Sequence, residues 1–186
     1  MEQTGEYRIR AGLNEVWAGL NDPAVLGRCI DGCQSMDKVG DDRFETAVKA
    51  KIGPVSATFQ AVLTLTDVEP PTRYTINADV KGGAAGFGKG KADVALSEDV
   101  TEPGATLLRY QVSASVGGKL AQVGSRLIDG AARKMADDFF AAFGEEVSGE
   151  APQPTIETAE RFEGSGQRWI WLIVFGALLL AALFAL

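Results

Sequence analysis

Few residues in this chain could do chemistry, and each has a limited repertoire. The segment Gly83-Ala84-Ala85-Gly86-Phe87-Gly88-Lys89 has nearly the glycine and lysine spacing of a phosphate-binding loop. That mechanism also needs a Ser or Thr after the lysine, to hold a magnesium ion. It further needs a strand-to-helix turn that aims backbone N–H groups at the phosphate. Position 90 is glycine, and the segment joins two predicted strands. A glycine-rich mobile hairpin loop is therefore expected, not a nucleotide site. Histidine is absent, and Cys29 and Cys33 lack the spacing of a zinc knuckle. No metal site is expected, and the cysteines read as two small semi-buried thiols. No Asp or Glu falls on a predicted inward strand position. General acid–base catalysis thus lacks an obvious side chain, and no residue is assigned a catalytic role. What remains is Tyr74, Tyr110 and Thr46, which suit the few polar anchors of an otherwise apolar ligand site.

The elements that would position these residues follow from periodicity. A short first strand spans residues 4–9, and a helix over 13–20 puts Leu13, Val16, Trp17 and Leu20 on one face. Asp22-Pro23 ends it and opens a second short helix. A weak strand near 35–39 precedes a meander with period-two alternation. Phe44, Thr46, Val48, Ala50 and Ile52 share one face; Ala57, Phe59, Ala61, Leu63 and Leu65 follow. Tyr74, Ile76, Ala78 and Val80, then Ala92, Val94 and Leu96, then Leu108, Tyr110, Val112, Ala114 and Val116 complete it. Residues 117–147 read as one long amphipathic helix of about 45 Å. Its stripe is Leu120, Val123, Leu127, Ala131, Met135, Phe139 and Phe143, widened by Ile128, Ala132, Ala136 and Phe140. Asp129 is expected on the outer side, four residues before Arg133. A sheet with one dry face needs a cover, and this helix supplies it. The expected fold is an α+β helix-grip domain over 1–147, with an antiparallel sheet wrapped on a long C-terminal helix.

Two further segments follow. Residues 148–168 carry two prolines, several Glu and Gly and few large apolar residues, which predicts a disordered linker. Residues 169–186 form an 18-residue run without a charge. As a helix it would span about 27 Å, close to a bilayer core. Arg168 precedes it, and Trp169 and Trp171 suit the interface. The expectation is a single C-terminal transmembrane helix. Met1 to Gly5 does not resemble a secretory signal. The protein is thus expected at the cytoplasmic membrane, single-pass and tail-anchored, with its domain in the cytoplasm. The net charge of −7 gives no support to nucleic-acid binding.

Local sequence adds a resemblance. Trp17-Ala18-Gly19-Leu20-Asn21-Asp22-Pro23, Lys49-Ala50-Lys51-Ile52-Gly53-Pro54-Val55, Lys81-Gly82-Gly83-Ala84-Ala85-Gly86-Phe87 and Gly117-Gly118-Lys119-Leu120-Ala121 resemble the carbon monoxide dehydrogenase G-subunit family. This is part of the START/Bet v 1-like (SRPBCC) superfamily of polyketide cyclases and lipid carriers. Asp31 departs from the pattern, where the family favours proline. The resemblance implies an accessory protein for a molybdenum hydroxylase of the carbon monoxide dehydrogenase type, holding that enzyme at the membrane. Its partners would be that hydroxylase, the membrane and an apolar lipid or quinone ligand. Apart from a possible bound quinone, no covalent or metal cofactor is expected. A cyclase-like enzyme of the same fold is the alternative.

Two sets of residues follow from these readings. Small side chains on the inward face and on the helix can leave an apolar space. The ligand-binding candidates are Trp17, Phe44, Thr46, Phe59, Ala61, Tyr74, Tyr110, Ala114, Leu127, Ala131 and Met135. Alternatively Phe59, Trp17, Met135 and Phe139 fill that space, since interiors are usually close-packed. In an up-and-down meander alternate turns share one end of the sheet. The turns at Gly53-Pro54, at 82–90 and at Gly117-Gly118 should thus form a basic, glycine-rich mouth. Lys51, Gly53, Pro54, Gly83, Phe87, Lys89 and Lys119 are the candidates there for docking on a partner or membrane.

Overall fold

The computed structural model describes residues 2–148 and 153–154. Chain order is β1 (Glu2–Ile9), α1 (Leu13–Leu20), α2 (Pro23–Cys29), β2 (Cys33–Lys38), β3 (Arg43–Ile52), β4 (Val55–Glu69), β5 (Arg73–Lys81), β6 (Phe87–Glu98), β7 (Thr106–Gly117), α3 (Lys119–Gln122), α4 (Ser125–Ser148) and β8 (Gln153–Pro154). The strands form one antiparallel sheet in the order β2-β3-β4-β5-β6-β7-β1-β8. This is the expected α+β architecture, an antiparallel sheet with a C-terminal helix. Among the described residues no helix is long and apolar enough to cross a membrane. The expected anchor, 169–186, and nearly all of the expected linker lie outside the described residues.

Alternation decides which face of each strand is dry. Along β3 the buried residues Phe44, Thr46, Val48 and Ile52 alternate with exposed or half-exposed neighbours. The same pattern runs through Phe59, Ala61, Leu63 and Leu65 of β4. These positions meet α4, whose buried side is Ile128, Asp129, Ala132, Ala136, Phe139, Phe140, Phe143 and Gly144. Phe44, Phe59 and Phe143 are fully buried. Truncating any one of them to alanine removes about 3–5 kcal/mol. At its far end α4 leans on α1. A Cβ on Gly19 would sit 2.8 Å from Val147 Cγ1 and 3.1 Å from the Phe143 ring, so only glycine permits this approach. Beyond it Arg28 of α2 pairs with Glu146.

The helix departs from expectation in two ways. It is not continuous over 117–147: Gly124, at φ +90°, breaks it into α3 and α4. The 24 residues of α4 make a rod of about 36 Å rather than 45 Å. Its phase is also turned. The row of Ile128, Ala132 and Ala136 lies at the centre of the buried face, while Leu127 is 55% exposed. Asp129, expected outside beside Arg133, is 2% exposed.

The glycine-rich loop is also shorter than the sequence suggests. β6 already begins at Phe87, and Gly83–Ala85 form a 3-10 turn. Gly86, at φ +127°, lies against the end of β7, where a Cβ would come 2.1 Å from Gly117 O. Gly53 lies beside Val123 and Leu127. The three turns thus gather at one end of the sheet, around α3.

Candidate ligand-binding cavity

Between α2, β3 and α4 the structure leaves a cleft of about 410 Å³. Its floor is apolar: Cys29, Ile30, Ala50, Ala131, Met135 and Phe139. Its rim is charged, with Asp31, Lys49, Lys51, Lys134 and Asp138, plus Ser56. Lys134 is paired with Asp138 one turn along α4. Burial pushes the Cys29 thiol up to about 11, so it stays protonated and acts as apolar lining. The volume lies within the range of small-molecule sites, and an apolar floor with a few polar groups suits one.

Beyond the cleft, small side chains recur in the packed core. Ala61, Ala78 and Ala92 on the sheet are buried, as are Ala132 and Ala136 on α4. Strand register aligns Ala78 of β5, Gly90 of β6 and Ala114 of β7 in one row across the sheet. The neighbouring row is Ile76, Ala92, Val112 and Gln3.

A larger open groove, about 1350 Å³, involves mainly the polar face of the sheet and takes in Gly5, Tyr74, Tyr110 and Arg133. Its charged groups largely satisfy one another. Arg109 bonds Glu6 at 2.6 Å, Lys91 meets Asp93 at 3.1 Å and Thr75 donates to Asp93 at 2.6 Å. It is a solvated surface, and the smaller apolar cleft is the better ligand site.

The ligand-binding candidates divide accordingly. Ala131 and Met135 form part of the cleft wall. Phe44, Phe59 and Ala61 are buried core, and Ala114 is half-buried. Trp17 packs edge-on against Tyr74, ring centres 5.4 Å apart. Burial raises the Tyr74 phenol above its ordinary range. Thr46 is committed elsewhere, donating to Ser35 O at 2.6 Å. Tyr110 lies over Gly5, in a stack with Tyr7 and Phe140. Leu127 is on the surface beside Gly53, outside the cleft lining. Of the docking candidates, Lys51 stands on the cleft rim, and Lys119, Gly53, Pro54 and Gly83 are exposed. Phe87 is 56% exposed, with its ring against Gly117. Lys89 pairs with Asp79 at 3.0 Å.

The sequence reading missed Asp129. Both carboxylate oxygens are buried without a hydrogen-bond partner, and burial pushes the group up to about 7. The surrounding helical pattern gave it an outward position, and only the packed phase of α4 reveals it.

A comparison with curated proteins gives no match. Among solved structures, a conserved protein from Geobacillus kaustophilus is 31% identical, with a TM-score of 0.74 over 80% of this chain and 96% of that one. A START superfamily protein from Mycobacterium smegmatis is 11% identical, with a TM-score of 0.59 over 78% and 96%. A protein from Thermus thermophilus is 13% identical, with a TM-score of 0.59 over 79% and 97%. The last two share the fold. Residues 5–148 match the family described as the G subunit of carbon monoxide dehydrogenase (CoxG), and the chain belongs to that family.

Proposed function

We propose that this protein is a membrane-tethered accessory protein that binds an apolar ligand, a quinone, in its helix-grip cavity. In this reading residues 169–186 anchor it in the cytoplasmic membrane, with the domain in the cytoplasm. The gathered turns around Gly53, Gly83 and Gly117 dock a molybdenum hydroxylase of the carbon monoxide dehydrogenase type. The bound quinone then links that enzyme to the respiratory chain. The observation that carries the reading is the apolar cleft at α2, β3 and α4, in a chain of the CoxG family. The uncharged 18-residue run after Arg168 supports the tether. Beyond the β8 pair on β1, the 14 residues 155–168 reach at most about 46–50 Å when extended, more than the length of α4.

The test is titration of the purified full-length chain with decylubiquinone. Saturable binding is expected. Ala50→Phe and Ala131→Phe, on the cleft wall, should fill the cleft and weaken binding at least about fivefold while the protein still unfolds cooperatively. Absence of binding by the wild type, or unchanged affinity in both variants, contradicts the reading.

Asp129 favours a second reading, a cyclase-like enzyme, because a buried acid poised near neutrality can transfer protons. Recovery of unchanged ligand after prolonged incubation supports the carrier. Turnover that disappears in Asp129→Asn supports the enzyme.

A further inference from the structure

The cleft at α2, β3 and α4 meets its strand edge-on. Lys49, Ala50 and Lys51 all line it. Consecutive strand residues point to opposite faces, so such a run cannot reach a cavity from one face alone. Register explains why the edge is open there. β2 begins at Cys33, opposite Val48. Just before it the chain turns, and the Cys33 N–H closes on Ile30 O at 3.2 Å. The Lys49 N–H still finds Gly32 O at 2.9 Å. Two residues on, the Lys51 amide points the same way, and no described strand faces it. An open edge of this kind presents a backbone donor beside the apolar floor.

Charge on the rim is unevenly matched. On the α4 side Lys134 donates to Asp138. Asp138 first, and more weakly Asp31, hold the Lys134 ammonium above its ordinary range, so the acids of the rim already face a cation. On the β3 side Lys49 and Lys51 form no ion pair among the described residues, whereas Lys89 and Lys91 each have one. They share one face of the strand, with Cα atoms about 7 Å apart, so both ammoniums can reach one small anion. This is a local reversal of sign in a chain of net charge −7. We propose that the open edge of β3 is an anion station and that the cleft binds long-chain carboxylates with the tail inward. The carboxylate accepts from the Lys49 and Lys51 ammoniums and from the Lys51 backbone N–H. The alkyl chain lies on Ala50, Ala131, Met135 and Phe139. The assignment goes beyond the quinone reading. A neutral quinone uses the same floor but brings no charge to the two lysines, so a carboxylate competes with it for one cleft.

The experiment titrates the full-length chain with octanoate, 1-octanol and octylammonium, which share a tail and differ in the head. The wild type should bind octanoate about tenfold more tightly than octanol, by a margin that shrinks as salt is raised, and octylammonium most weakly. Lys49→Met combined with Lys51→Met keeps the apolar stems. It should lower octanoate affinity about tenfold and leave octanol affinity unchanged. Both lysines are exposed, so thermal melts of this double variant should match the wild type. Ala131→Phe should weaken octanoate and octanol alike, and octanoate should displace bound decylubiquinone. Equal binding of octanoate and octanol, or undiminished octanoate affinity in the double variant, overturns the anion station and leaves the quinone reading standing. So does octanoate binding that is indifferent to Ala131→Phe, or that leaves decylubiquinone in place. A wild type that binds octanoate as expected but not decylubiquinone overturns the quinone reading and supports this one.

Discussion

The hydroxyl of Tyr7 on β1 donates to Asp137 on α4 across a sequence separation of 130 residues, at 2.8 Å. Burial first, and then this bond to a carboxylate, raise the Tyr7 phenol above its ordinary range, so it remains a donor at any working pH. Its ring also stacks on Phe140 at 4.0 Å between centres. This pair sets how the cover helix sits on the sheet. Tyr7→Phe keeps the stack and loses only the bond. It should cost about 1–2 kcal/mol in urea unfolding, since Asp137 is exposed and regains water. An unchanged midpoint would mean that the bond does not register the helix.

Asp129 gives stability a pH dependence of definite sign. Its carboxyl is raised from 3.8 to about 7 by burial, so the folded state holds the proton more tightly than the unfolded chain. Stability attributable to this group is therefore greatest below about pH 4 and falls as pH rises through 7. Thermal melts of wild type and Asp129→Asn across pH 4–9 should diverge, with the wild type losing ground to the variant as pH rises. Parallel curves would show that Asp129 is solvated or paired.

Asp99 works in the opposite direction. Hydrogen bonds from Thr101, and then from Arg8, hold its carboxyl well below the usual carboxylate range. These bonds fasten the loop between β6 and β7 to β1. The stability they supply is present at neutral pH and is lost as pH falls below about 4 and onward. Asp99→Asn should lower the melting temperature at pH 7, with the gap to wild type narrowing toward pH 2. A gap that stays constant over that range would contradict the carboxylate's role.

The gathered turns have a steric requirement of their own. Gly86 combines a left-handed φ of +127° with a Cβ position 2.1 Å from Gly117 O. Gly86→Ala should cost at least about 1–3 kcal/mol and loosen the loop that carries Phe87. Hydrogen exchange at residues 82–88 should rise in the variant. Unaltered exchange and stability would mean that the loop packs otherwise.

In the proposed function, charge at the same end steers docking. Lys51 and Lys119 are exposed, and Lys89 is held only by a surface pair with Asp79. Reversing all three to glutamate should weaken binding to anionic vesicles or to the proposed hydroxylase partner at low salt, with little effect on stability. If the full-length chain binds both equally well after the reversal, docking uses another face.

Much of the sheet was legible because period-two alternation has one buried solution. Phe44, Val48, Phe59 and Leu63 fall inward in sequence and in structure alike. The cover helix was legible in existence but not in phase. Leu127, Ala131 and Met135 form an apolar row, and so do Ile128, Ala132 and Ala136, with Phe139 and Phe143 shared. The charge of Asp129 argued for the first row. Packing of Phe140 on Tyr7 and the Tyr7–Asp137 bond select the second. The break at Gly124 was hidden because a single glycine inside a helical pattern is often tolerated.

The central claim is that this domain holds an apolar molecule. The most direct measurement is mass spectrometry of small molecules extracted from the full-length chain, purified from membranes and washed with lipid-free detergent, compared with Ala131→Phe, which fills the cleft, prepared in parallel. The account predicts a quinone at close to one per wild-type chain and a severalfold lower yield from the variant. Extracts without a quinone, or equal yields from both proteins, would contradict it.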